Sequence, residues 1–430
     1  MFHFLKDLSH LCSSTITSLK MSQQTSFPKD KIKVLLLENI STSAKTEFEK
    51  AGYTNVEIVK GALSEDELVT ALEDVRILGI RSKTQLTERV LKAAEKLMGV
   101  GCFCIGTNQV DLNSATSEGK AVFNAPFSNT RSVAELVIAS AIMLIRRIPE
   151  KNEAAHQGTW LKESDNCHEI RGKKLGIIGY GHIGSQVSVL AESLGLEVYY
   201  YDIESKLPLG NANTSASFLS LIDTCDIITL HVPATPDTVN LMNEQVIKRF
   251  HKGQYLINMS RGNVVDLDAL KVSMENGLIA GAAIDVFPVE PKIAGDKFVS
   301  PLQGIPNVIL TPHIGGSTEE AQWNIGIDVS TKLIKYLETG STLGSHSLPE
   351  LSLPKIDNTH RVLHIHHNVP GVLSEINKRI ADMEVNILGQ YLSTNAKVGY
   401  VVLDVSVKTG NETLEELKSI SNTINARILY

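Results

Sequence analysis

Short apolar runs and amphipathic stretches alternate along the chain from residue 31 onward. Runs of strand length lie at 31–37, 56–60, 75–80, 98–105 and 121–124. Between them, 41–52, 64–74 and 87–95 carry helical spacing. Gly52 stops the first of these, and Ser64, three residues before Glu67, caps the second. This alternation predicts a parallel sheet with helices on both faces. Ligands of such sheets sit outside the carboxyl ends of the strands. Arg81, Ser82, Lys83 and the turn ending in Asn108 fall at such ends.

An apolar helix predicted over 132–147 does not return to this sheet; it reads as a connection between two lobes that exposes much apolar surface to a partner, so an oligomer is expected. A second series follows, with strand-like runs at 174–178, 197–201, 226–231, 254–258, 280–285 and 308–310. Its first turn, Gly176-Ile-Ile-Gly179-Tyr-Gly181-His-Ile-Gly184, leads into a helix. Gly179 permits the tight turn, Gly181 lets the backbone approach a pyrophosphate, and Gly184 lets helix and strand pack closely. The helix start adds free N–H groups and a positive dipole end. Asp202, about 20 residues on, is placed to accept bonds from ribose hydroxyls. A 2′-phosphate there would meet a carboxylate, so the stretch predicts NAD and not NADP.

A helix predicted over 318–338 crosses back to the first lobe. The expected domains are a substrate-binding lobe at 30–130 and 317–340, discontinuous in sequence, and an NAD-binding Rossmann domain at 131–316. Residues 341–358, rich in Gly, Ser and Leu-Pro, read as a linker and hinge. Residues 359–430 alternate as strand, helix, two strands, helix, strand. The expected class is α/β: two Rossmann/flavodoxin-like parallel-sheet lobes plus a C-terminal βαββαβ domain.

Composition changes this picture little. A net charge of −7 argues against non-specific nucleic-acid binding. No apolar run approaches membrane-spanning length. The five cysteines lack zinc or redox spacing, so reduced thiols in a cytoplasmic protein and no metal are expected. Residues 1–29 stand apart as a disordered arm. Asp7, the lack of arginine before Met21 and short apolar runs weigh against a targeting segment there.

Three residues at or near strand ends of the second lobe carry candidate chemistry: Arg261, Glu290 and His313. Oxidising a 2-hydroxy acid needs a base for the C2 hydroxyl proton, and a histidine titrates near working pH. A carboxylate on its far nitrogen would fix the tautomer. A guanidinium can hold the substrate carboxylate and polarise the forming carbonyl. Taken singly, each residue also reads as an ordinary loop or surface group; together, beside a dinucleotide turn, they read as a set.

With these residues in place, the chain resembles the D-isomer-specific 2-hydroxyacid dehydrogenases over roughly residues 30–430. The specific stretches are the glycine turn, Phe127-Ser-Asn-Thr-Arg-Ser-Val-Ala-Glu135, Ser260-Arg-Gly262, Ala282-Ala-Ile-Asp-Val-Phe-Pro288, Thr311-Pro-His-Ile-Gly-Gly-Ser317 and His366-His-Asn-Val-Pro-Gly-Val-Leu373. The resemblance implies Arg261, Glu290 and His313 as catalytic. It implies NAD contacts from Gly179, Gly181, His182, Ile183, Gly184, Asp202, Met259, Ser260, Arg261, Asp285, His313, Ile314, Gly315 and Gly316, with Asp285 facing the nicotinamide carboxamide.

Within the family it closely resembles the bacterial-type members that oxidise 3-phosphoglycerate, which implies that substrate and the entry to serine synthesis. The phosphate then wants cations from the first lobe. Arg81 and Lys83 are the candidates, with Ser82, Asn108 and Lys60 beside them; Lys83 stands where relatives often carry arginine. The tail resembles an ACT domain, a regulatory module. The resemblance implies L-serine as effector, contacted by His366, Asn368 and Asn386 between two subunits, and a homotetramer. A secondary reduction of 2-oxoglutarate is a further expectation. Two alternatives stay open: another D-2-hydroxyacid dehydrogenase, and a non-enzymatic NAD-sensing protein of corepressor type.

Overall fold

Runs of two to nine residues, most of them apolar and too short for stable helices, assemble into three sheets. The computed structural model describes residues 27–291, 295–354, 356, 359–406 and 411–429. The first sheet holds β1 (Lys33–Leu36), β2 (Val56–Ile58), β3 (Val75–Ile80), β4 (Gly99–Cys102) and β5 (Ala121–Asn124). All pairs are parallel in the order β2-β1-β3-β4-β5. The second holds β6 (Lys174–Ile178), β7 (Glu197–Tyr201), β8 (Asn213–Thr214), β9 (Ile227–Leu230), β10 (Gln254–Asn258), β11 (Ile279–Ile284) and β12 (Val308–Leu310). Its parallel order is β12-β11-β10-β9-β6-β7-β8. Strand order reverses at β1/β3 in one sheet and at β6/β9 in the other. Such switch points open crevices where ligands bind.

Helix starts are fixed by local side chains. Ser41 accepts from Ser43 N–H to begin Thr42–Lys50, and Ser64 with Glu67 forms a capping box for Glu65–Ala71. Two long helices join the lobes. Glu319–Thr339 leaves the second lobe and buries Ile325, Val329, Leu333 and Tyr336 in the core of the first. Thr130–Ile145 does the reverse, burying Val133, Val137, Ala141 and Leu144 against the second sheet. This corrects the expectation that the helix over 132–147 offers its apolar surface to a partner. Its apolar stripe is internal. Large exposed apolar groups follow it instead: Ile148, Leu161 and Trp160, the last 85% exposed.

The third sheet is antiparallel: β13 (Thr359–His367), β14 (Ile387–Thr394), β15 (Val398–Ser406) and β16 (Thr423–Leu429), in the order β14-β15-β13-β16. Period-two alternation buries both of its faces. Val362, Val401 and Leu403 meet the helix Val372–Asp382, while Leu363, Ile365, Tyr400 and Val402 join the core of the first lobe.

Part of the expected linker is not loose. His346 N–H donates to Val122 O, Ser347 Oγ bridges Val122 N–H and Lys120 O, and Leu348 enters the first-lobe core. Residues 27–29, expected in the arm, are docked as well. Phe27 packs under Arg76, and Lys29 pairs with Glu338 and bonds Ala51 O. Residues 1–26 lie outside the described residues. Among those described, no helix is long and apolar enough to cross a membrane. Cys102, Cys104, Cys167 and Cys225 are free thiols, and burial pushes that of Cys225 up to about 12.

Candidate active site

The carboxyl edges of the two parallel sheets face each other across a cleft of about 820 Å³. From the first lobe come Arg81, Ser82 and Lys83 after β3, and Asn108 after β4. From the second come Arg261 after β10, Glu290 after β11 and His313 after β12. Lys60 is exposed beyond β2 and does not line the cleft, so the expected cation set loses that member.

His313 Nδ1 lies 2.9 and 3.1 Å from the two Glu290 oxygens, which leaves Nε2 for a ligand. The Glu290 bond holds the His313 imidazole above its ordinary value, outweighing the opposing pull of burial. Burial pushes the Glu290 carboxyl up. The bonds from His313 and Phe287 N–H, with Arg261 nearby, outweigh that and leave it below the usual carboxylate range. Among the described residues the Arg261 guanidinium bonds Ser260 O through one nitrogen, leaving other N–H groups for a ligand carboxylate.

The loops bearing these groups are pinned together. A Cβ on Gly262 would sit 2.0 Å from Phe287 C, so only glycine lets the Arg261 turn touch the segment leading to Glu290. His313 holds a left-handed backbone, φ 55°. Asp285, 1% exposed, anchors that turn: its oxygens accept from Thr311 Oγ, Ile314 N–H and Gly315 N–H at 2.6–2.8 Å. The sequence suggested a contact to nicotinamide; what the fold adds is that this carboxylate shapes the His313 turn.

The glycine turn lies at the β6/β9 switch point and fits a dinucleotide. A Cβ on Gly179 would meet His231 O at 2.4 Å, and one on Gly184 would meet Gly179 O at 2.1 Å. Gly181 faces open space, with nothing within 4 Å of such an atom. Beyond it the helix His182–Ser193 presents its N-terminus, with Ile183 in its first turn. Asp202 is held by Tyr180 N–H and Glu204 N–H at 2.7 and 2.9 Å. Met259 and Ser260 follow β10, and Gly315 and Gly316 follow His313, all on the same edge of the sheet. One neighbour went unforeseen: the Phe127 ring lies against His182, tilted by 35° with centroids 3.6 Å apart, joining the interlobe crossover to the glycine turn.

In the third sheet His366 and Asn368 sit at one end and Asn386 at the other. His366 pairs with Gly399, whereas Asn386 adjoins Ser406. Gly399 and Ser406 lie seven positions apart along β15, about 20 Å. One chain therefore does not gather the three expected effector residues.

Residues 138–315 match the D-isomer specific 2-hydroxyacid dehydrogenase NAD binding domain, and residues 362–425 match an AHAS small subunit-like ACT domain. The chain is 54% identical to the D-3-phosphoglycerate dehydrogenase of Haemophilus influenzae, over 95% of this chain and all of that one. It is 53% identical to the Escherichia coli K12 enzyme of the same name, again over 95% of this chain and all of that one. A solved D-lactate dehydrogenase from Aquifex aeolicus, complexed with NAD and lactic acid, is 25% identical with a TM-score of 0.62, covering 74% of this chain and 100% of that one. The cofactor of the second lobe is NAD, and the chain belongs to the D-3-phosphoglycerate dehydrogenases, a branch of the D-isomer-specific 2-hydroxyacid dehydrogenase family.

Proposed function

We propose that this chain oxidises 3-phospho-D-glycerate to 3-phosphohydroxypyruvate, the first step of L-serine biosynthesis, and that L-serine inhibits it through the ACT domain. One observation carries the reading: the cleft sets Arg81 and Lys83 opposite Arg261, Glu290 and His313. NAD, held at the glycine turn and Asp202, would supply the hydride acceptor for C2. His313 Nε2 takes the C2 hydroxyl proton, while Glu290 holds Nδ1–H and favours the imidazolium that forms. Arg261 holds the substrate carboxylate and stabilises charge on the C2 oxygen. Arg81, Ser82, Lys83 and Asn108 receive the phosphate. The same cations suit a second carboxylate, so slow reduction of 2-oxoglutarate belongs to the proposal.

The position of Asn386 supports an effector site between two chains. β14 is a sheet edge with Leu388, Tyr391 and Leu392 exposed. Two such edges paired about a two-fold axis bring Asn386 of one chain beside His366 and Asn368 of the other. The exposed Trp160 and Leu161 form a second apolar surface, and a tetramer with dihedral symmetry needs two distinct interfaces.

The test is NADH consumption with 3-phosphohydroxypyruvate, with and without L-serine, beside a panel of unphosphorylated 2-oxo acids in cytoplasm-like buffer. Turnover strongly favouring the phosphorylated acid and falling with serine is expected. No turnover would revive an NAD-sensing role, and indifference to the phosphate would point to another 2-hydroxy acid.

A further inference from the structure

Behind the cation loop of the first lobe lies a buried carboxylate that nothing in the proposed chemistry uses. Glu38 follows β1, at the switch point facing β3, and is 7% exposed. It does not line the cleft. Its backbone is left-handed, φ 60°, and its N–H is tied to Gly61 O at 3.0 Å. Its side chain reaches across the sheet to the loop after β3. Oε1 accepts Arg81 N–H at 3.0 Å and Thr84 N–H at 2.9 Å, and Oε2 accepts Lys83 N–H at 3.0 Å.

Successive backbone N–H groups turned toward one point form an anion site, and bonds to an ionised acceptor are about twice as strong as neutral ones. In most such loops the anion is the ligand. Here the protein supplies its own. From the other side Gln109, 3% exposed, donates to Arg81 O at 2.7 Å and to Gly106 O at 3.3 Å. The loop is thus held through three N–H groups by Glu38 and through the Arg81 carbonyl by Gln109, which also ties it to the loop after β4. Among the described residues, one backbone N–H between 81 and 84 has no protein acceptor, that of Ser82.

We propose that Glu38 is a positioning residue for recognition of the substrate's phosphate. With its carboxylate filling the nest, the phosphate is met by what the loop turns to the cleft: the Arg81 and Lys83 side chains and the N–H and hydroxyl of Ser82. The loop is rigid before substrate arrives, so less ordering entropy is lost on binding. The sequence holds Glu38 at 43 to 46 residues from the positions it bonds, and no motif marks it. This inference rests on the reading of the substrate as a phosphorylated acid.

The experiment compares the whole enzyme with Glu38→Gln, which keeps the shape but offers one acceptor oxygen for three N–H groups. Losing one charge-assisted bond predicts a KM for 3-phosphohydroxypyruvate raised about tenfold. The kcat, the KM for NADH and the KM for an unphosphorylated 2-oxo acid change less than about twofold, because the second lobe is untouched. Equal loss on both substrates, or a kcat falling with KM, would overturn the proposal in favour of a general structural role; an unchanged KM would overturn it too. Should Glu38→Gln not fold, Glu38→Asp keeps the charge one methylene short and is read by the same split. A wild-type enzyme with no preference for the phosphorylated acid would instead overturn the substrate reading, before any variant is made.

Discussion

His313 and Glu290 are coupled through one hydrogen-bonded pair, and that coupling has a sign. Glu290 raises the folded-state value of His313, so its share of stability is present below the ordinary histidine value of 6.5 and is lost as pH rises through the raised one. Glu290 is itself depressed, so its share is present above the ordinary carboxylate value of 4.5 and is lost as pH falls through the lowered one. The pair is fully formed between those ordinary values. In the proposed chemistry the neutral ring is the base in oxidation and the imidazolium is the acid in reduction. Glu290→Gln removes the group that raises His313. The acid limb of the oxidation profile should therefore move to lower pH, and the reduction should fade at a lower pH than in wild type. Profiles of kcat/KM in both directions check this, and an unmoved limb would separate the pair from catalysis. His313→Ala should lose about 10²–10⁴-fold in turnover while NADH still binds, read by fluorescence titration.

At the scale of elements, two close contacts decide whether the loops meet. Gly262 lets the Arg261 turn lie against Phe287 and Pro288. Gly262→Ala should push these segments apart by a fraction of an ångström to an ångström. Misplacement of that size costs about 100-fold in kcat. The global melting temperature should move little, and a calorimetric scan beside the assay tells loop displacement from unfolding. The third sheet is held to the first lobe by another contact. Arg361 and Asp404 form a pair with no exposed side-chain surface, and Arg361 also donates to Thr339 O and Pro354 O. Asp404→Asn leaves a buried guanidinium without its counter-charge, at a cost of about 3–5 kcal/mol. Denaturant unfolding measures it, and a loss under about 1 kcal/mol would mean that Arg361 is satisfied without this carboxylate.

For the whole molecule, the question is how an effector on the third sheet is felt in a cleft on the first. The two share one core, in which Leu363, Ile365 and Tyr400 pack with Tyr336, Leu337 and Leu348. Tyr400 Oη also donates to Gly340 O, and Arg427 to Tyr336 O, at the end of the crossover helix. A serine that pairs two third sheets would bias the position of that helix, and so the opening of the cleft. Asn386→Ala should then raise the serine concentration for half inhibition at least about tenfold, with turnover unchanged. Inhibition that persists at the wild-type concentration would put the effector elsewhere.

The chain's own residue order determines most of the architecture. Apolar runs of strand length, helix caps such as Ser64 with Glu67, and a glycine turn followed by Asp202 are local patterns, set by sterics and hydrogen bonds within a few residues. They suffice for two parallel-sheet lobes, a βαββαβ tail and the NAD turn. Arg261, Glu290 and His313 were legible because each follows a strand, and strand ends of a parallel sheet point to one edge. The rest was decided by contacts distant in sequence. Lys60 falls outside the cleft because its short strand lies at the sheet edge. The helix Thr130–Ile145 hides its apolar stripe in its own chain, since an apolar face in sequence does not say which surface covers it. The docking of 346–348 on β5, the anchoring of the His313 turn by Asp285 and the filling of the Arg81 loop by Glu38 join residues about 30 to more than 200 positions apart. A buried carboxylate takes whichever N–H groups the fold brings to it, and only the packed molecule brings them.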